Sequence, residues 1–217
     1  MNTLIGVTTC HARIDRADSQ RDTWAKDSVL DIRFFCGSGT ILNNSIILDC
    51  PDGYNQEFTM KIQAVCRWAL ENNYDRLWKV DDDVYVRPER LIGITSDYFG
   101  FVCNMVAIDG KMVPTKKSFC MGPIYSLSKK ALEVIANSDN LGIKEDEWVG
   151  KTLLNAGIIP VHTDLIRQEQ AYKRIPIEDW VPMITNDIIS SSEWENSMWV
   201  PHQIWLDSVG KDEFLIR

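Results

Sequence analysis

The chain has 217 residues, of which 45% are hydrophobic and 25% are charged, as is ordinary for a soluble globular protein. Its formal net charge of −8 disfavours tight binding to nucleic acid or to an anionic membrane. An anionic substrate stays compatible with this charge, because a bound divalent cation reverses the sign of a site locally.

The first half of the chain alternates short apolar runs with segments of helical periodicity. The predicted strands are 4–9, 32–36, 45–48 and 77–80, and the predicted helices are 19–29 and 56–72. Such alternation predicts an α/β fold with a mostly parallel central sheet and helices on both of its faces.

The second half adds strands 99–108 and 111–114, which a turn at Asp109-Gly110 joins into a small antiparallel addition. Strand 124–127 follows, and Ser128 is expected to cap helix 129–137. Helix 145–155, with Gly157 at its C-terminal end, and strand 158–161 come next. Beyond Glu169 the periodicity is poor and predicts loops with short helices. No linker divides the chain, so residues 1–217 are expected to form a single domain.

None of the six cysteines forms a C-x-x-C pair, and each lies within or beside an apolar stretch. This pattern is typical of buried thiols in a reducing compartment, although the even count leaves disulfides open. The chain starts without a signal-peptide pattern, and no apolar run is long enough to span a bilayer. A soluble, cytoplasmic protein without a membrane segment is therefore expected, although a truncated Golgi-type catalytic domain would look similar.

The residues Asp81, Asp82 and Asp83 follow an apolar strand directly. Ligands of open α/β sheets bind outside the carboxyl ends of the strands. Adjacent carboxylates in a partly buried site repel one another, and a divalent cation such as Mg²⁺ or Mn²⁺ removes that penalty. The alternative interpretation is a solvated acidic turn.

A second acidic cluster, Glu145-Asp146-Glu147, opens a predicted helix. Acidic residues at a helix N-terminus are stabilised by the helix dipole, which is a sufficient structural explanation. The functional alternative is a catalytic base beside a metal-bound diphosphate.

Five segments carry short motifs in a fixed order. They are Arg21-Asp22-Thr23-Trp24, the set Asp49, Asp52, Tyr54, Thr59 and Lys61, and the segments 78–86, 122–128 and 145–150. In this order they resemble the R-x-T-W, D-F-x-D-x-Y-x-N-L-T-x-K, K-x-D-D-D, G-x-x-Y-x-L-S and E-D-V-x-x-G motifs of beta-1,3-galactosyltransferase-like and Fringe-like glycosyltransferases. Glu147 stands where the family has Val.

This resemblance implies a GT-A fold, with a nucleotide-sugar-binding half at about residues 1–87 and an acceptor-binding half at about 88–217. It implies inverting transfer of a hexose or N-acetylhexosamine from a UDP-sugar to a hydroxyl of a glycan, glycoconjugate or other acceptor. Asp83 is expected to bind Mn²⁺ or Mg²⁺, with Asp81 near the metal, and Asp146 to act as the general base. The remaining residues implied for the donor are Thr8, Arg16, Arg21, Asp49, Lys61 and Asp82, and those implied for the acceptor are Gly122 and Trp148.

The family also supplies a late histidine to the metal, and by counting that position falls near Ser190 or Ser191. His202 is the expected replacement, whereas His162 is expected to be structural and His11 to approach phosphate. Two other functions stay open. They are a metal-dependent nucleotidyltransferase or phosphohydrolase, since clustered carboxylates serve phosphoryl transfer too, and a decayed module that only binds a UDP-sugar. Transfer of the sugar to DNA is an open but disfavoured subclass.

Overall fold

A computed structural model describes residues 1–39, 44–53, 56–139, 143–164, 166–169 and 190–193 of the chain. Its helices are α1 (Ile14–Asp22), α2 (Gln56–Glu71), α3 (Lys129–Ala136) and α4 (Glu145–Asn155). Its strands are β1 (Thr3–Thr8), β2 (Asp31–Cys36), β3 (Ser45–Ile47), β4 (Arg76–Asp81), β5 (Val84–Val86), β6 (Tyr98–Cys103), β7 (Val106–Ile108), β8 (Lys111–Val113), β9 (Phe119–Ser128), β10 (Val161–His162), β11 (Ile166–Glu169) and β12 (Ser190–Glu193).

Within the described residues, the central sheet has seven strands in the order β10-β6-β9-β4-β1-β2-β3. Its pairs are parallel except that β9 runs antiparallel to both of its neighbours, β4 and β6. The predicted mostly parallel sheet is confirmed. The same sheet takes strands from both predicted halves of the chain.

The sheet buries side chains on both faces, because successive residues of a strand point to opposite sides. Leu4 and Leu77 contribute to a core that residues of α2, α3 and α4 complete. Their neighbours Ile5 and Trp78 lie in a second core, which Ala17 of α1 helps to close. Helices therefore cover both faces, as the alternation of elements predicted.

Several local predictions are confirmed in detail. The helix predicted at residues 145–155 has those bounds, and the Ser128 hydroxyl accepts a hydrogen bond from the Ala131 N–H at the start of α3. The turn between β7 and β8 has positive φ at Asp109 (51°) and at Gly110 (75°). Two consecutive positive φ angles are the requirement of the tight hairpin turn that was expected there.

Other predictions need correction. The helix predicted at 19–29 is Ile14–Asp22, and the Thr23 hydroxyl bonds back to the Ser19 carbonyl as that helix ends. Predicted strand 99–108 is two strands, because Asn104 has a φ of 58° between them. The tail beyond residue 169, predicted as loops and helices, contains strand β12, which pairs antiparallel with β5. Strand β12 depends on its pairing with β5, which apolar periodicity along the sequence does not reveal.

All six cysteines are free thiols, and five of them are buried, as the apolar surroundings predicted. Among the described residues, none of the helices combines the length and the apolar character that a bilayer crossing needs.

Candidate active site

The candidate site lies at the carboxyl edge of the parallel strands. Thr8 at the end of β1 is in register with Asp81 at the end of β4. Because β9 runs the other way, its early residue Gly122 reaches the same edge, beyond the pair formed by Val80 and Ile124. The ends of three adjacent strands therefore converge where ligands of α/β sheets bind.

Residues 81–83 are called the acidic turn here. Its first and last carboxylates, Asp81 and Asp83, each lie close to a basic side chain. The Asp81 Oδ1 atom accepts hydrogen bonds from the Lys79 ammonium (2.6 Å) and the Thr8 hydroxyl (3.3 Å). An oxygen of Asp83 lies 3.6 Å from the Arg16 guanidinium. Burial and then the charge of Asp81 raise the pKa of Asp83 to about 7. This carboxylate therefore lies where added positive charge would be strongly stabilising.

The middle carboxylate, Asp82, points into the protein. It is 1% exposed, and it accepts hydrogen bonds from the Thr9 hydroxyl (2.9 Å) and the Arg13 guanidinium (3.3 Å). Burial raises its pKa to about 6, although the charge of Arg13 acts in the opposite direction. Asp82 is thus placed to orient Arg13 and Arg16, and its predicted direct contact with a cofactor is not supported.

Gln20 of α1 hydrogen-bonds to the backbone of the acidic turn. Its fully buried side-chain amide donates to the carbonyls of Asp81 (3.0 Å), the first residue of the turn, and Val84 (2.8 Å), the residue after it. These bonds fix the backbone on which the three carboxylates are displayed. Gln20 was not among the predicted site residues.

Lys61 and Asp52 join the loops that follow β1 and β2. The Lys61 ammonium donates to the Thr9 carbonyl and to the Asp52 carboxylate, both at 2.9 Å. The same carboxylate accepts from the backbone N–H groups of His11 (2.9 Å) and Gly37 (2.6 Å). Since Lys61 is 1% exposed, it supports these loops from inside rather than contacting a cofactor as predicted.

Two other predicted donor residues lie apart from the acidic turn. The Arg21 guanidinium donates to the Ser45 hydroxyl at 2.7 Å and stacks 4.1 Å from the Phe34 ring centroid, so it anchors α1 to the sheet. Asp49 is an exposed residue after β3. In the segment that follows β3, Asp52 is the carboxylate that joins the site.

The acidic start of α4 forms the opposite side of the site. Glu145 is buried, accepts a hydrogen bond from the Tyr125 hydroxyl, and lies 3.7 Å from the Lys79 ammonium. Burial raises the pKa of Glu145 to about 7, although Lys79 lowers it. Asp146 is partly exposed, and its Oδ1 atom accepts from the Glu147 N–H at 2.9 Å. The first turn of the helix thus presents one carboxylate inward and the next toward the site.

Of the two predicted acceptor residues, Gly122 lies beside the base candidate and Trp148 does not face solvent. A Cβ on Gly122 would lie 3.6 Å from both Asp146 Oδ2 and Glu145 Oε2, so the glycine packs directly beside the two carboxylates at the start of α4. Trp148 is 0% exposed, and its indole N–H donates to the Asp139 carbonyl at 2.9 Å. The predicted acceptor contact of Trp148 is therefore replaced by a role in the core.

A hard divalent cation commonly takes one or two carboxylates and completes its coordination with water and substrate phosphates, and Asp81 and Asp83 are of the chemical type that such a cation would use. In the part of the chain that the structure describes, no group of three or more His, Cys, Asp or Glu residues could hold a metal ion. His202 lies outside the described residues. His162 accepts a hydrogen bond from the Val102 N–H at 3.0 Å, in line with its predicted structural role.

The sequence interpretation missed Gln20 altogether, and it placed Lys79 only within a motif and Glu145 only within the acidic cluster, without a role of their own. A signal for Lys79 was available, because residues two apart on a strand share a face and Asp81 follows it by two. The contacts of Glu145 with Lys79 and of Gln20 with Asp81 carried no such signal, since they join residues 66 and 61 positions apart in the sequence.

No family model matches the sequence, and no curated protein sequence matches it either. Among solved structures, the chain is similar to one described as a glycosyltransferase involved in the glycosylation of the major capsid of PBCV-1. The TM-score is 0.56 at 12% sequence identity, over 94% of this chain and 98% of that chain. This likeness shows the fold alone, and the mostly parallel sheet with helices on both faces is consistent with the GT-A fold expected from the motifs.

Proposed function

We propose that the protein is an inverting, metal-dependent glycosyltransferase that moves a hexose or N-acetylhexosamine from a UDP-sugar to an acceptor hydroxyl. The observation that carries the proposal is the pairing of two carboxylate sets in one site. The acidic turn lies at the end of β4, and Asp146 lies at the start of α4, with Gly122 beside it. The resemblance of the motifs to beta-1,3-galactosyltransferase-like and Fringe-like enzymes supports the donor and the stereochemistry.

The acidic turn is proposed to bind the diphosphate of the donor. Asp83 and Asp81 would hold Mn²⁺ or Mg²⁺, and His202 is proposed as a further ligand. When bound, the metal ion supplies positive charge against the charge that grows on the leaving diphosphate. Arg16, 3.6 Å from Asp83 and partly exposed, is placed to contribute a second cation to the same phosphates.

Asp146 is proposed to accept the proton of the attacking hydroxyl. Inversion requires the acceptor to approach from the face opposite the diphosphate, so the base must belong to a segment other than the acidic turn. Asp146 meets this condition because it lies in the first turn of α4 and is partly exposed, next to Gly122. An accessible carboxylate within reach of the acceptor hydroxyl can act as a general base.

A direct test incubates the protein with a panel of UDP-sugars, with and without Mn²⁺, and detects UDP release and sugar transfer. The proposal predicts Mn²⁺-dependent UDP release and thermal stabilisation by UDP. Release of UMP and a sugar 1-phosphate from the UDP-sugar would instead identify a phosphohydrolase, and release of pyrophosphate from UTP supplied with a sugar 1-phosphate would identify a nucleotidyltransferase. Binding of UDP without any turnover would identify a binding module.

A further inference from the structure

Lys79 is a fully buried lysine whose ammonium contacts oxygens from three separate elements. It lies 2.6 Å from Asp81 Oδ1 at the end of β4, 2.5 Å from the Gly122 carbonyl oxygen in β9, and 3.7 Å from Glu145 Oε2 in α4. An ammonium group has three N–H donors and no acceptor. Two of these contacts are hydrogen bonds and the third, to Glu145, is a longer ion pair, so the cation joins three different elements.

We infer that Lys79 is a positioning residue that sets the spacing between the acidic turn and the start of α4. The inference rests on the proposed function, because it concerns how that site is held together. Two of the three Lys79 partners adjoin Asp146: Gly122 is its neighbour across the site, and Glu145 precedes it in the helix. The third, Asp81, belongs to the acidic turn. One buried cation thus connects the proposed donor side to the proposed base.

The contacts around this cation leave little freedom to its partners. Glu145 is also bonded to the Tyr125 hydroxyl, and Asp81 is also bonded to the Thr8 hydroxyl, so neither carboxylate can move away alone. Stability by itself is a weak reason to bury such a network, because well-packed apolar replacements of buried ion pairs are often neutral or stabilising. Positioning is a stronger reason, since a displacement of about 1 Å in a catalytic arrangement can cost about 10²-fold in rate.

The test compares the double variant Lys79→Met/Glu145→Gln with the single variant Glu145→Gln. Removing Lys79 alone leaves Glu145 buried without its cation, and such a variant can fail to fold. The double variant removes both charges and keeps similar volumes. If Lys79 only stabilised the fold, the folded double and single variants would have the same kcat and the same amide hydrogen exchange.

Two measurements decide the outcome. The first is kcat for sugar transfer, which we expect to be about 10²-fold lower in the double variant than in Glu145→Gln, with a smaller change in the KM for the donor. The second is amide hydrogen exchange of the substrate-free protein. We expect faster exchange at residues 145–150 in the double variant, with α3 unchanged as an internal reference.

Arg76→Met is the matched control. Arg76 is another buried cation of β4, but it bonds to the Ser126 hydroxyl and the Ser96 carbonyl, away from the acidic turn. Its loss should lower stability without selectively accelerating exchange at residues 145–150.

Unchanged exchange at residues 145–150, or a kcat within about threefold of the single variant, would overturn the positioning role. If the wild-type protein turns over no UDP-sugar, the proposed function fails, and the exchange measurement still decides the role of Lys79.

Discussion

The molecule contains two acidic triplets, and the fold distributes their carboxylates in different ways. In the acidic turn, Asp82 is buried against Arg13, while Asp81 and Asp83 remain near the site. At the start of α4, burial falls steadily from Glu145 through Asp146 to the exposed Glu147. The turn follows a strand, whose side chains alternate, whereas each helix residue turns by about 100° from the last.

The comparison shows that two similar sequences of three acids place their carboxylates differently, and the proposed function gives them different roles. At a strand end, the first and third carboxylates can lie at one edge of the sheet while the second is buried. Two carboxylates placed in this way suit the binding of one cation. At a helix start, consecutive carboxylates point in different directions, so only one of them faces a given site. This arrangement suits a single proton acceptor. The predictions below test this division from the largest expected effect to the smallest.

The largest effect is expected for Asp146→Asn, which keeps the size of the side chain but cannot take a proton. Sugar transfer should fall by at least about 10²-fold, the usual scale for a lost general base. Affinity for Mn²⁺-UDP should be unchanged, because the acidic turn is intact. Both are measured in one preparation, by product formation and by calorimetric titration. Near-normal transfer would leave Asp146 as a helix-start residue only.

The second effect contrasts two neighbours in the acidic turn. Asp83→Asn should weaken Mn²⁺-UDP binding by at least about 10-fold, the lower scale for impaired metal sites. Asp82→Asn should chiefly lower the melting temperature, because it weakens a buried contact with Arg13. Calorimetry and thermal unfolding on both variants separate the two roles. Equal losses of affinity in both would contradict the division between Asp82 and Asp83.

The third prediction concerns pH and Glu145. Its pKa is about 7 in the folded protein and 4.5 ordinarily, so the folded state holds the proton more tightly. Between about pH 4.5 and 7, this group therefore removes stability as the pH rises. Glu145→Gln does not titrate, so its free energy of unfolding should improve relative to the wild type across that window. Chemical denaturation at several pH values measures the difference, and a pH-independent difference would refute the raised pKa.

The smallest effect is expected for Glu147→Gln. This side chain is exposed, and surface substitutions usually change the free energy of unfolding by no more than about 0.5 kcal/mol. Transfer should stay within about twofold of the wild type, since Glu147 has the most outward position of its triplet. A large loss of transfer would mean that the base role belongs to Glu147 rather than to Asp146.

The sequence by itself determined the α/β architecture and the location of the two acidic clusters. Both depend on local patterns: apolar runs of strand length, helical spacing in α2, and the helix from Glu145 to Asn155. It also predicted that Asp81 and Asp83 lie at a strand end, because a short apolar run of strand length precedes them directly.

Only the tertiary structure decided which polar residues face the site and which support it. Lys61, Asp82 and Trp148 carry the chemistry expected of ligand contacts, yet each is at most 1% exposed. Conversely, Gln20 and Glu145 enter the site region through partners more than 60 residues away. The burial of these residues and their long-range contacts arise from how the sheet, α1 and α4 pack together. Residue type and spacing within a short segment do not specify that packing.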